Sequence, residues 1–210
     1  MSALDYLSSA FVTLLVVVEP LGLAPIFMAA TQGVSAAARV KIAGRACIFA
    51  LLILIGAALG GDQLLAAVGI SLPAFRIAGG LLLFTLASEM VFGVRIQRDV
   101  QTAAQALEEH AQNIAAFPLA IPLMAGPGAI TATLLLAGQA HNEAARLALL
   151  AGAVVAVISI CYAICRLAAR VERLLGTAAN IVFAKLFGVL LASLAVQYVV
   201  DGARQLFIRA

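Results

Sequence analysis

Charge is scarce in this sequence. Only 11% of its 210 residues are Asp, Glu, Lys or Arg, 64% are hydrophobic, and the mean hydropathy is +1.12. Soluble globular domains carry about a quarter charged residues and about half apolar ones, so a soluble fold is excluded. Histidine is scarcer still. His110 and His141 lie in loops with no ligand partners, so no metal site is expected. The chain has three cysteines, Cys47, Cys161 and Cys165, all in apolar runs. Cys161 and Cys165 share a helix face, but no His or carboxylate joins them, and they read as small buried hydrophobes. Walker A, HExxH and GxSxG patterns are all missing. The chain therefore offers no ATP site of its own, no cofactor site and little support for an intramembrane enzyme. Met1–Ser9 contains no Lys or Arg, which is unlike the basic start of a cleavable signal, so the first span is expected to be retained. The net charge of +3 does not point to nucleic acid, because the cations sit in short loops at the ends of apolar runs.

What fills the sequence instead is apolar runs of span length. A bilayer core is about 30 Å thick, and about 20 helical residues cross it. The runs are continuous, unlike the alternating ten-residue strands of an outer-membrane barrel. They predict an all-α, polytopic membrane protein with six transmembrane helices, at roughly 7–30, 43–66, 72–93, 117–139, 146–168 and 177–202. Ser71 with Pro73, Asn142 with Glu143, and Thr177 read as helix starts. Between the third and fourth spans lies the longest polar segment. There Val100, Ala104, Leu107, Ala111 and Ile114 share a face, so 95–115 reads as a surface linker helix. Gly56 and Gly60 in "GAALG" form a small-xxx-small pattern of the helix-packing kind.

Positive charge sets the expected orientation. The first, third and fifth loops hold Arg39, Lys41 and Arg45, then Arg95 and Arg98, then Arg166, Arg170 and Arg173. The opposite side holds Arg76, Arg146, Arg204 and Arg209. Cytoplasmic loops are enriched in Lys and Arg, so both termini are expected on the periplasmic side.

Two stretches repeat. Pro20–Pro25 reads "PLGLAP" and Pro122–Pro127 reads "PLMAGP". "FRIAGGLLL" from Phe75 likewise aligns with "AKLFGVLLA" from Ala184, pairing Arg76 with Lys185 and Gly79 with Gly188. The order is kept and the offsets are similar, which predicts two three-helix repeats, 1–94 and 116–210. Three helices per half force the second half to cross in the opposite sense, the inverted plan of many secondary transporters. Proline removes a donor and clashes one turn back. Pro20 with Pro25, and Pro122 with Pro127, are therefore expected to break the first helix of each half. Unpaired backbone groups in hydrocarbon cost several kcal/mol each, so such breaks belong where they line a cavity. Facing helix ends there offer amides to an anion and carbonyls to a cation, a setting for a small zwitterion.

Glu19 lies mid-span, where a charge costs about 2.5–3.5 kcal/mol, so it needs a partner or a task. Two tasks are open to it. It can bind a substrate ammonium, or carry a coupling proton, since a buried carboxyl holds a proton more readily. Arg76 and Lys185 are candidates to pair with Glu19 or to attract a carboxylate, with snorkelling to the interface as the plain alternative. Gly22 and Pro25 at the first break, Gly126, Pro127, Gly128 and Thr131 at the second, and Gln197 on the sixth span complete the candidate substrate site. Ser88, Glu89, Ser193 and Asp201 are further polar residues on the third and sixth spans, Glu89 and Asp201 near enough to the ends to be interfacial.

"AFPLAIPLMAGPGAIT", Ala116–Thr131, resembles the signature of the MarC family of integral membrane proteins. "FRIAGGLLL" and "AKLFGVLLASLAVQYVVDG" resemble that family's third and sixth spans. The family includes SnatA-type neutral amino acid transporters. The resemblance therefore implies a secondary transporter of glycine- or alanine-type substrates in a bacterial inner membrane. It would use alternating access, with the halves rocking about the breaks and with H+ or Na+ as candidate coupling ions. Relatives place Asp-Pro and then Gly-Asn in the first helix. Here Glu19-Pro20 is followed by Gly22-Leu23, which keeps the acid, loses the amide and puts the substrate range in question. An exporter of other small metabolites or drugs, and a non-transporting scaffold, are the alternatives.

Overall fold

The computed structural model describes residues 2–31, 33–94, 123–140 and 143–209; for residues 62, 171–178, 208 and 209 it describes the backbone alone. Every regular element among the described residues is helical. Helix α1 spans Ala3–Val18, a 3-10 turn follows at Pro20–Gly22, and α2 spans Leu23–Ala30. Then come α3 (Ala36–Val68), α4 (Leu72–Phe92), α5 (Pro127–Gln139), α6 (Ala144–Arg166) and α7 (Ala168–Arg209). Five segments are long and apolar enough to cross a membrane: Ala3–Ala30, Ala36–Gly61, Leu72–Phe92, Ala144–Arg166 and Ala179–Phe207. They coincide with five of the six spans read from the sequence. The fourth differs. Its described part, α5, has 13 residues, or about 20 Å of helix against a core of about 30 Å. Residues 117–122, including Pro122, lie outside the described residues, as do the linker 95–115 and both histidines.

Local chemistry explains most helix ends. Ser2 and Asp5 form a reciprocal capping box on α1. Ser35 and Ser71 each accept from the backbone three residues on, and Pro73 sits in the first turn of α4, as the sequence suggested. Gly69 and Gly93 end α3 and α4 with φ of 76° and 78°, a conformation that costs glycine nothing. Thr177 is a correction. No helix starts there, because α7 runs unbroken for 42 residues from Ala168; no Pro interrupts it, and the Gly176 that precedes Thr177 is carried inside the helix.

The segment α1–α2 is the central post. Inside the protein, 61% of its apolar window is buried, against 22% for that of α7. It packs on α5, α6 and α7; α3 packs on α5 and α6; α4 packs on α5 and, most extensively, on α7. Glycine makes the α4–α7 seam close. A Cβ added to Gly80 would lie 2.7 Å from the Ala195 carbonyl oxygen, one on Gly188 3.1 Å from that of Ala87, and one on Gly202 2.8 Å from that of Pro73. Residue numbers fall along one helix as they rise along the other, so the pair is antiparallel. The buried face of α7 is a stripe of mostly small residues: Ala184, Gly188, Leu191, Ala195, Tyr198 and Gly202.

Gly56 and Gly60 are a second correction. Both are exposed with nothing within 4 Å of an added Cβ, so "GAALG" forms no packing seam within this chain. The contrast gives a test. Gly80→Ala must push against backbone, and we expect a loss of about 1–3 kcal/mol despite alanine's better helix propensity, worth about 1 kcal/mol. Gly56→Ala meets nothing and should leave stability equal or higher. Thermal melts of the two variants in the same detergent check this.

Candidate functional site at the interrupted helices

The first interruption is built by three residues. Helix α1 closes with the Glu19 amide donating to the Leu15 carbonyl at 3.0 Å. Glu19 itself turns left-handed, with φ 51° and ψ 64°, the one non-glycine residue to do so among the described residues. That conformation costs about 1–2 kcal/mol for an L-residue with a Cβ. Pro20 then brings no N–H to continue the ladder, and Gly22 closes the turn by donating to the Glu19 carbonyl at 3.0 Å. The break therefore occupies Glu19–Gly22. Pro25 does not extend it: it sits in the first turn of α2, where a missing N–H has no intrahelical use. Glu19 is buried, 8% exposed. Its carboxyl group folds over Gly22, since a Cβ there would lie 3.4 Å from Glu19 Cδ.

The second interruption restarts a helix. Gly126 is extended, with φ −73° and ψ 172°, and Pro127 takes the first position of α5. The first closed turn is Ile130 N–H to Gly126 O, 3.0 Å. The amides of Gly128 and Ala129 thus have no acceptor within the helix and stand at its positive end. Gly128 packs on the last turn of α1: an added Cβ would lie 3.4 Å from Val17 Cγ1 on α1 and 2.6 Å from Leu86 Cδ2 on α4. Thr131, one turn on, is buried against Gly79. The start of α5, with Gly128 and Thr131, therefore packs on the last turn of α1 and on α4, whereas the turn Pro20–Gly22 packs chiefly on α6 and α7. A buried acid thus ends α1, and the N-terminus of α5 packs on that helix's last turn.

Arg76 belongs elsewhere. It is buried, 6% exposed, and its Nε has no hydrogen-bond partner among the described residues. Leu86, which touches Gly128, lies ten residues further along α4, or about 15 Å along the axis. Arg76 is thus too far from the break for a direct ion pair with Glu19. It shares instead a second polar cluster. Tyr198 lies within electrostatic reach of Arg76 and beside Thr13 and Gln139, and the Tyr6 hydroxyl donates to the Leu136 carbonyl at 2.9 Å. Sequence reading missed Tyr198, Thr13 and Gln139. Their signal was the buried stripe of α7, which passes through Tyr198.

Lys185 and Gln197 are not brought to either place. Both are exposed, and Gln197 donates to Asp201 Oδ1 at 2.9 Å on its own helix. Ser88 and Ser193 spend their hydroxyls on the carbonyls of Phe84 and Val189 one turn back. The three cysteines are buried and unpaired with one another, as read.

With the geometry in place, likeness to known proteins decides the family. The model for "MarC family integral membrane protein" matches residues 4–207. The chain belongs to the MarC family. Relatives of this MarC protein include a "UPF0056 membrane protein" of Archaeoglobus fulgidus, 36% identical over 204 residues, covering 95% of this chain and 92% of the relative. "UPF0056 membrane protein YhcE" of Escherichia coli strain K12 is 34% identical over 201 residues, covering 94% and 91%. A "UPF0056 membrane protein" of Aquifex aeolicus is 32% identical over 197 residues, covering 94% and 92%. These names state residence in a membrane and no cargo. No solved structure matches the chain. The MarC protein is thus a multi-pass integral membrane protein.

Proposed function

We propose that this MarC protein is a SnatA-like secondary transporter of small neutral amino acids, of glycine or alanine size. It would work by alternating access at the two interrupted helices, with no chemistry on its substrate. The observation that carries this reading is a buried, left-handed Glu19 at the end of α1, whose last turn packs on the N-terminus of α5. The carboxylate suits a substrate ammonium, and the Gly128 and Ala129 amides suit its carboxylate. A proton or a sodium ion is the coupling ion.

The packing supports inverted repeats over 1–94 and 116–210. Exchanging the halves turns the α1–α6 contact into α5–α3, and the α4–α5 contact into α7 with α1 and α2, and all of these are made. The charge bias of the loops supports periplasmic termini in a bacterial inner membrane. Leu23, where relatives place Asn, is 3% exposed, so an apolar wall stands beside the break where an amide is usual. That favours, as a second reading, export of other small metabolites through the same site.

The test is uptake and counterflow of labelled glycine and alanine in proteoliposomes, with proton and sodium gradients set independently. We expect saturable flux, competed by other small neutral amino acids and driven by one gradient. Folded protein that gives no flux under any gradient overturns the amino acid reading.

A further inference from the structure

We propose that a pocket on the more positively charged face of the protein holds the phosphate head group of an anionic phospholipid. The pocket has a volume of about 300 Å³ and lies where α2 and α6 end and α3 and α7 begin. Phe27, Met28, Val40 and Cys165 give it an apolar lining, Arg39 and Arg166 supply two guanidinium groups, and no acidic side chain among the described residues lines it.

Each arginine is placed by its helix. Arg39, in the first turn of α3, donates from Nε to the Thr31 carbonyl at 3.2 Å, which ties it to the end of α2. Its Nη1 meets only the Met28 sulfur, at 3.9 Å, so the terminal amino groups keep hydrogen-bonding capacity. Arg166 is the last residue of α6, is exposed, and has no ion-pair partner among the described residues.

Depth and charge name the occupant. The apolar segment of α3 starts at Ala36 and that of α6 ends at Arg166, so the pocket lies at the level where a span leaves hydrocarbon for head groups. Lys41 and Arg45 on α3 and Arg170 on α7 are exposed near the same helix starts and strengthen the positive field. Two guanidiniums match the planar, multidentate bonding of a phosphodiester. The apolar lining matches the glycerol and the first acyl carbons below it, and basic pockets between membrane helices bind anionic lipid head groups in this way. A free carboxylate or phosphate ion would need the arginines and gain nothing from the apolar lining. The assignment stands apart from the transport site and does not rest on the transporter reading.

The full chain, reconstituted in an equal mixture of phosphatidylglycerol and phosphatidylcholine and released into native mass spectrometry, provides the test. We expect bound phosphatidylglycerol in excess of phosphatidylcholine. Arg166→Gln should lower the retained anionic lipid about fivefold, the factor for one basic charge beside an anionic head group, and Arg166→Gln with Arg39→Gln about 25-fold. Ala169→Phe, which keeps both charges and fills the pocket, should lose the lipid too; Ala169 is exposed and lines it. If the Arg39 variant does not fold, the Arg166 and Ala169 variants decide. Equal retention of the two lipids, or unchanged retention in Arg166→Gln and Ala169→Phe, overturns the proposal. So does glycerol 1-phosphate raising the thermal midpoint as much as phosphatidylglycerol does, because the site would then take a free anion.

Discussion

Glu19→Gln is expected to leave the protein folded and to remove substrate accumulation. Truncating one partner of a buried charge pair costs about 2–5 kcal/mol, which is about 30-fold to several-thousand-fold in apparent affinity at 1.4 kcal/mol per decade. Two assays separate the roles open to this acid. If Glu19 carries the coupling proton, the variant loses gradient-driven uptake and keeps counterflow, which needs no net proton movement. If Glu19 binds the substrate ammonium, both are lost. Glu19→Gly adds an arm that only this backbone allows. At φ 51° glycine relieves about 1–2 kcal/mol, so we expect a higher thermal midpoint in a transporter that no longer transports. A Glu19→Gly protein with normal uptake would show the acid to be a device of the turn alone.

Arg76→Met is expected to melt no lower than the parent and to transport poorly. A cation so deep in the protein, with no hydrogen bond at Nε among the described residues, brings a desolvation cost of several kcal/mol. An apolar side chain of similar length does not. If the guanidinium steadies a carboxylate on its way along the protein, its loss raises the apparent KM by about 30-fold or more, with kcat changed much less. Arg76→Lys should recover part of that affinity, because it keeps the charge without the planar donor fork. A variant that unfolds, or one with an unaltered KM, would make Arg76 a structural residue.

The broken first helix was legible because Pro20 and Gly22 act on their own backbone, whatever surrounds them. The start of α4 was legible for the same reason, in Ser71 and Pro73. The left-handed turn at Glu19 was not, because a glutamate rarely takes that conformation and nothing in its own sequence asks for it. Arg76 and Lys185 hold matching places in the two stretches that align, "FRIAGGLLL" and "AKLFGVLLA", and have opposite fates. Arg76 falls on the buried stripe of α4, with Pro73, Gly79 and Leu83, whereas Lys185 falls one residue beside the buried stripe of α7. Gln197 misled for the same reason. Its distance from the helix ends suggested a buried place, but the helix face decides that, and the adjacent Tyr198 holds the inward one. Position along a span is written in a hydropathy profile; the direction a side chain points is written in the spacing of small residues.

The glycine seam between α4 and α7 has a mechanical meaning. These helices close the first and second halves of the chain, and they touch backbone to backbone at three levels, from Pro73 with Gly202 to Ala87 with Gly188. Contacts of that kind leave no layer of side chains to shear, so the two helices are joined like the halves of a weld. Sliding α4 past α7 would have to open all three of those contacts. If the protein transports as proposed, the joined pair would be its stator, and the working stroke would fall to the segments with a missing rung: the turn at Glu19–Gly22 and the start of α5.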